Sequence, residues 1–97
     1  MKAYKHLVKY SLAQGYNISV WDGEEWQVTR SDKYKNIIDA IESVEEAQIK
    51  IRIPEYGTLV AWALIVPYGL ADDETVADYT DNEFMMKWSL EYDKSVV

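Results

Sequence analysis

Apolar residues recur along this chain with two periods, and the switches between them mark seven elements. Tyr4, Leu7, Val8 and Leu12 lie three and four residues apart, on one face of a helix, and Gly15 follows where a left-handed residue would end it. A helix is predicted over 3–14. Residues 16–21 are β-branched and aromatic, Asp22-Gly23 supplies a turn, and residues 26–29 return with alternating character, which predicts a hairpin. Ser31 stands where it can cap a second helix over 32–44, whose apolar face is Tyr34, Ile37, Ile38, Ile41 and Val44. Residues 48–53 alternate strictly, with Ile49, Ile51 and Ile53 on one face and Gln48, Lys50 and Arg52 on the other, the mark of a strand with one wet side. After the turn Pro54-Glu55-Tyr56-Gly57, residues 58–66 are apolar on both faces, so that strand is either central or covered on its second side. The acidic stretch beyond Pro67-Tyr68-Gly69 reads as an ordered loop or a short helical turn. Thr80 and Glu83 have the form of a capping box for a last helix over 81–93, with Phe84, Met85, Trp88 and Tyr92 on its apolar face.

The expected architecture is a single α+β domain over 1–97 in the order α-β-β-α-β-β-α, with a four-stranded antiparallel sheet and helices packed on one face. Tyr4-Lys5-x-aliphatic-aliphatic and Tyr34-Lys35-x-aliphatic-aliphatic precede one predicted pair of strands each, so an αββ duplication is one reading and convergence of amphipathic helices is the other.

Composition adds three constraints. With 97 residues, 48% of them apolar, the chain has room for one core and enough apolar area to form it. It contains no cysteine, which removes disulfides, thiolate metal sites and thiol nucleophiles, and fits a reducing compartment; cytoplasm is the expectation. No apolar run resembles a signal peptide or reaches membrane-spanning length, so no membrane partner is expected.

Charge changes the picture more. Residues 1–52 balance eight basic against eight acidic side chains, whereas residues 53–97 hold nine acids against Lys87 and Lys94, which accounts for the whole net charge of −7. No positive side chain occurs between Arg52 and Lys87, and Asp72, Asp73, Glu74, Asp78, Asp81 and Glu83 crowd into twelve positions. Such a surface repels nucleic acid and attracts basic partners. The helix dipole accounts for Asp81 and Glu83 at the start of the last helix. It does not account for the other four.

Catalytic constellations are scarce. The four glycines are isolated at predicted turns, so no dinucleotide or phosphate-cradling loop is written here. His6 is the sole histidine, which excludes a two-imidazole metal site, and it is expected on the surface among Lys2, Lys5 and Lys9. Residues 72–83 have the length of a calcium loop but place Val76 and Ala77 where an oxygen ligand and a glycine are required. No metal, no cofactor and no enzymatic activity are expected. Trp62, with Trp21 and Trp26, could form an aromatic patch, although core packing is expected of most of these rings. Aromatics beside acids anchor protein interfaces, whereas a nucleic-acid stacking platform needs Lys or Arg beside the rings. The lysines at 2, 5, 9, 33 and 35 would form a basic patch if the first two helices lie side by side.

The run Ala61-Trp62-Ala63-Leu64-Ile65-Val66-Pro67-Tyr68-Gly69, then Asp73-Glu74-Thr75-Val76-Ala77-Asp78-Tyr79 and Met85-x-x-Trp88, resembles small acidic accessory proteins of tailed bacteriophages of enteric bacteria. Asp22-Gly23-Glu24-Glu25-Trp26 and Val44-Glu45-Glu46-Ala47 extend the resemblance over most of the chain. It brings no activity or catalytic residues with it. It implies a non-enzymatic protein in the host cytoplasm that binds and inhibits a host protein, by covering a basic, nucleic-acid-binding surface with carboxylates that stand in for DNA phosphates. The expected contact residues are Asp72, Asp73, Glu74, Asp78, Asp81 and Glu83, with Trp62 as an aromatic anchor, and direct nucleic-acid binding is not expected. The neutral, lysine-rich first half confines any such mimicry to residues 72–83 and what folds beside them. The alternative is a structural or assembly module that self-associates, as a homodimer, through the apolar strand 58–66.

Overall fold

A computed structural model describes residues 1–95. Its elements run α1 (Ala3–Ala13), β1 (Asn17–Trp21), β2 (Trp26–Ser31), α2 (Tyr34–Glu42), β3 (Ala47–Arg52), β4 (Leu59–Ile65), a 3₁₀ turn (Asp72–Thr75), β5 (Val76–Tyr79) and α3 (Glu83–Ser95). The strands form one antiparallel sheet in the order β2-β1-β3-β4-β5. Leaving β5 aside, strand order and pairing read the same when α1-β1-β2 is exchanged with α2-β3-β4, as an αββ duplication requires.

The sheet has five strands where four were expected, and the element order is α-β-β-α-β-β-β-α. The additional strand lies inside the acidic stretch, whose first part is the helical turn. Val76-Ala77-Asp78-Tyr79 is too short to show alternation, so its conformation is imposed by pairing rather than by pattern. It satisfies the free edge of β4 through Ala63 opposite Tyr79, Leu64 opposite Asp78 and Ile65 opposite Val76. β4 thereby becomes an interior strand.

All three helices contribute to the same core as one face of the sheet. Ile18 and Val20 of β1, Ile49 and Ile51 of β3, and Ala61, Ala63 and Ile65 of β4 are buried with Leu7 and Val8 of α1, Ile37 and Ile41 of α2, and Met85 and Trp88 of α3. The small residues of β4 leave room for the larger α3 side chains above them. No helix is long and apolar enough to cross a membrane, among the described residues.

Helix starts depart from the expected capping. Ser31 ends β2, and its hydroxyl accepts the Lys33 amide (3.0 Å), so α2 begins two residues later than Ser31 capping would place it. Thr80 does not cap α3: it is held by the backbone of Trp62, which donates its amide to Thr80 Oγ1 (3.0 Å), and Asn82 accepts the Met85 amide instead (3.1 Å). α1 has no local side-chain cap, and one of its free amide donors is satisfied from far away in sequence. The buried Thr75 hydroxyl accepts the Tyr4 amide (3.2 Å) and donates to the Asp72 carbonyl (2.8 Å), which fastens the acidic turn to the start of α1.

Candidate functional site

The pleat of the sheet sends every second side chain of β1, β3 and β4 away from the helices. That outer face carries Trp21 on β1, Gln48, Lys50 and Arg52 on β3, and Trp62 and Leu64 on β4, all half-buried by one another, with Trp26 at the β2 edge 42% exposed. Core packing was expected of most of the tryptophans. Only Trp88 is buried; the other three lie on the sheet face that no helix covers. The reason is parity: Trp21 is one residue out of phase with Ile18 and Val20, and Trp62 one out of phase with Ala61 and Ala63. Trp21 and Trp26 meet edge-on with ring centres 5.1 Å apart, the Lys50 ammonium sits 5.4 Å from the Trp26 ring centre, and Trp62 Nε1 donates to Gln48 Oε1 (3.1 Å). A row of alternating rings and polar groups therefore crosses the sheet.

At one end of this face two arginines converge. The register of β1 and β2 slips between Ile18 and Val20, and Arg30 in that bulge takes a left-handed conformation (φ 48°). Its amide donates to Ser19 Oγ (2.8 Å) and its guanidinium lies over Gly57, where a Cβ would stand 2.9 Å from a guanidinium nitrogen. Arg52 donates to the Gly57 carbonyl (3.1 Å). Beside them Asn17 is only 8% exposed, and its Oδ1 has no hydrogen-bond donor.

The six predicted acids lie along the opposite edge, which is formed by β5 and α3, but on different sides of it. Asp72, Asp73 and Glu74 are exposed on the 3₁₀ turn ahead of β5; Asp72 and Asp73 line a shallow pocket with Tyr92 and Ser95 of α3. Burial, then the nearby Asp72, Asp73 and Asp93 carboxylates, hold the Tyr92 phenol above its ordinary pKa. Asp78 lies opposite Leu64 and is the acid on the outer sheet face, the face that also carries Trp62. Asp81 and Glu83 lie past the far end of β5. Glu83 pairs with Lys87 (3.0 Å), a bond that raises the lysine's pKa. Among the described residues the other five acids form no ion pair. Part of this charge has a structural use, since acids along an edge strand discourage pairing with another chain.

The helical side is different. α1 and α2 do lie side by side, yet their lysines are occupied: Lys5 pairs with Glu42 (3.6 Å), Lys35 with Asp39 (2.8 Å), Lys33 with Asp32 (3.4 Å), Lys2 donates to the Pro67 carbonyl (2.9 Å), and Lys9 sits over the Tyr34 ring. The Tyr4 hydroxyl donates to Glu42 as well, and burial with that bond pushes its pKa far up. His6 is not the surface residue expected. It is wedged in the α1–α3 seam, accepting the Trp88 indole N–H at Nδ1 (3.1 Å) and meeting Tyr92 edge-on, and burial lowers its pKa. No group of three potential ligand side chains converges as a metal site among the described residues.

The features that sequence reasoning missed are Arg30, Lys50 and Arg52 as one group with the tryptophans. The alternation of residues 48–53 already put Lys50 and Arg52 on one face. Nothing in the sequence placed Arg30 beside them, because a bulge and a long-range register did so. No family model matches the chain, and no curated protein or solved structure is significantly similar to it.

Proposed function

We propose that this protein is a non-enzymatic binding protein that docks a basic surface of another protein on its β5–α3 edge. The observation that carries this reading is the set of five exposed acids, Asp72, Asp73, Glu74, Asp78 and Asp81, which along the β5 edge of the sheet form no ion pair among the described residues. Like charges as close as Asp72, Asp73 and Glu74 on one turn repel one another and lower stability unless a cationic partner compensates them. The resemblance to small phage accessory proteins makes a nucleic-acid-binding protein of a bacterial host the partner class, with the carboxylates standing where phosphates would, and the host cytoplasm the place of action. Because the acids wrap around an edge, the partner's basic surface has to be a cleft that receives the edge rather than a flat patch.

Steering by this field speeds encounter, and affinity falls as salt rises. The test is retention of proteins from a bacterial lysate at low and physiological salt, beside a variant carrying Asp72→Asn, Asp73→Asn, Glu74→Gln and Asp78→Asn. A retained protein that the variant loses, and whose own nucleic-acid binding the parent blocks, meets the expectation. Retention independent of both salt and the four substitutions would sink it. The alternative, self-association through β4, draws on the half-buried Trp62 and Leu64 of the sheet face that no helix covers, and a monomer by light scattering at high concentration would remove it.

A further inference from the structure

Arg30, Arg52 and Lys50 are cations that no carboxylate answers. Among the described residues none of the three lies in an ion pair, and Glu55, in the same turn as Gly57, is not within ion-pair distance of either arginine. Two guanidinium groups sharing Gly57 repel each other, and Arg30 is in addition held in a backbone region that costs a residue with a Cβ about 1–3 kcal/mol. Unpaired like charges and local strain at one end of an uncovered sheet face, with Trp62 beside Lys50 and Trp21 and Trp26 toward the other end, describe a surface prepared for an anion that also carries flat rings.

We propose that the outer face of the sheet binds single-stranded nucleic acid. Phosphates lie at Arg30 and Arg52, and bases stack on Trp26, Trp21 and Trp62, the combination of cationic track and aromatic platform that sequence-tolerant strand binding uses. Lys50 occupies the face of Trp26 as a cation–π partner. A base that stacks there displaces the ammonium toward the neighbouring phosphate. An acidic peptide would satisfy the arginines but leaves the three rings without a purpose, and a duplex keeps its base faces hidden. A second copy of the chain fits poorly: β3 is the middle strand, so a two-fold face-to-face dimer sets Lys50 and Arg52 against their own copies, with Asp78 two strands away.

The expectation that this chain avoids nucleic acid weighed the charge of whole segments. The fold puts the surplus acid on the β5–α3 edge, where only Asp78 of the six shares the outer face, two strands away from the cations of β3. Asp22, Glu24 and Glu25 rim the Trp26 end, so the strand's backbone runs over the Arg30–Arg52 end and binding is weak and strongly salt-dependent.

The test uses the full chain with a labelled oligothymidylate of about 12 nucleotides, a length one small domain can cover, an RNA and a duplex of the same length, and polyglutamate, read by anisotropy and tryptophan quenching at low salt. Both single strands are expected to bind and quench, and the duplex to bind roughly ten-fold more weakly, lacking the stacked bases. Arg30→Gly suits the left-handed backbone, so the fold survives; it weakens binding and reduces the salt slope by about 0.7, the share of one phosphate. Trp26→Ala weakens it by about ten-fold. Asp72→Asn with Asp73→Asn leaves it intact, which separates this site from the acidic edge. If no single strand binds a chain whose circular dichroism is native, the proposal fails. It fails equally if polyglutamate binds as tightly with the same Arg30 dependence, or if Trp26→Ala abolishes a dimer instead.

Discussion

The β5–α3 edge and the outer face of β2, β1 and β3 both hold charges without partners, yet sequence and structure present them in opposite ways. The acids are clustered in the chain, and folding scatters them: Asp72 to Glu74 at one end of β5, Asp78 on the outer face, Asp81 and Glu83 beyond the other end. Arg30 is far from Lys50 and Arg52 in the chain, and folding gathers Arg30 and Arg52 on a single glycine. Charge density along a chain is therefore a poor guide to charge density on its surface. Register and bulges decide which groups share a face.

The comparison can be broken most forcefully from beneath. Ile51 is fully buried between Ile18 and Ala61 in the sheet that carries both regions, so Ile51→Ala is expected to cost about 2–5 kcal/mol by urea denaturation and to impair both surfaces together. A narrower substitution separates them. Thr75→Val removes the hydroxyl that ties the acidic turn to α1, at a cost of about 1–3 kcal/mol, and faster amide exchange is expected at Tyr4 while Arg30 and Ser19 stay protected. Should exchange at Arg30 accelerate equally, the two regions are not independent.

His6 supplies a pH test of the seam below the acidic edge. Burial lowers its pKa and Nδ1 accepts the Trp88 N–H, so the folded state holds the neutral ring and the unfolded chain takes up the proton first. Stability is expected to be intact above the ordinary imidazole value of about 6.5 and to fall as pH drops below it, until the folded ring also protonates. His6→Gln should remove that part of the slope in denaturation measured across this window. The smallest effect is on the edge itself. Asp72→Asn with Asp73→Asn should change stability by no more than about 0.5 kcal/mol and bring the Tyr92 phenol back toward its ordinary pKa, read by absorbance titration; an unmoved Tyr92 would mean that burial alone raises it.

Much of the fold was legible in the chain. Apolar spacing located α1 on Tyr4, Leu7 and Val8, α2 on Ile37, Ile38 and Ile41, α3 on Met85, Trp88 and Tyr92, and β3 on Ile49 and Ile51, because each element must bury one face and periodicity records which. β5 was not legible, because four residues with an exposed aspartate become a strand only where β4 offers unpaired backbone. Nor were the caps of α1 and α3. Thr75 reaches the start of α1 from 71 residues away, and Thr80 is claimed by Trp62 before it can cap anything.

The candidate surfaces divide along the same line. The sequence by itself determined the excess of acid after residue 52, the wet face of β3 and the two-faced character of β4, since these are properties of composition and of a two-residue period. Only the tertiary structure decided that the acids wrap around an edge, that the helical lysines are already paired, and that Arg30 joins Arg52 on the face that carries Lys50 and three tryptophans. These depend on which strands lie next to each other and in what register, and such long-range pairings leave no local trace in the order of residues.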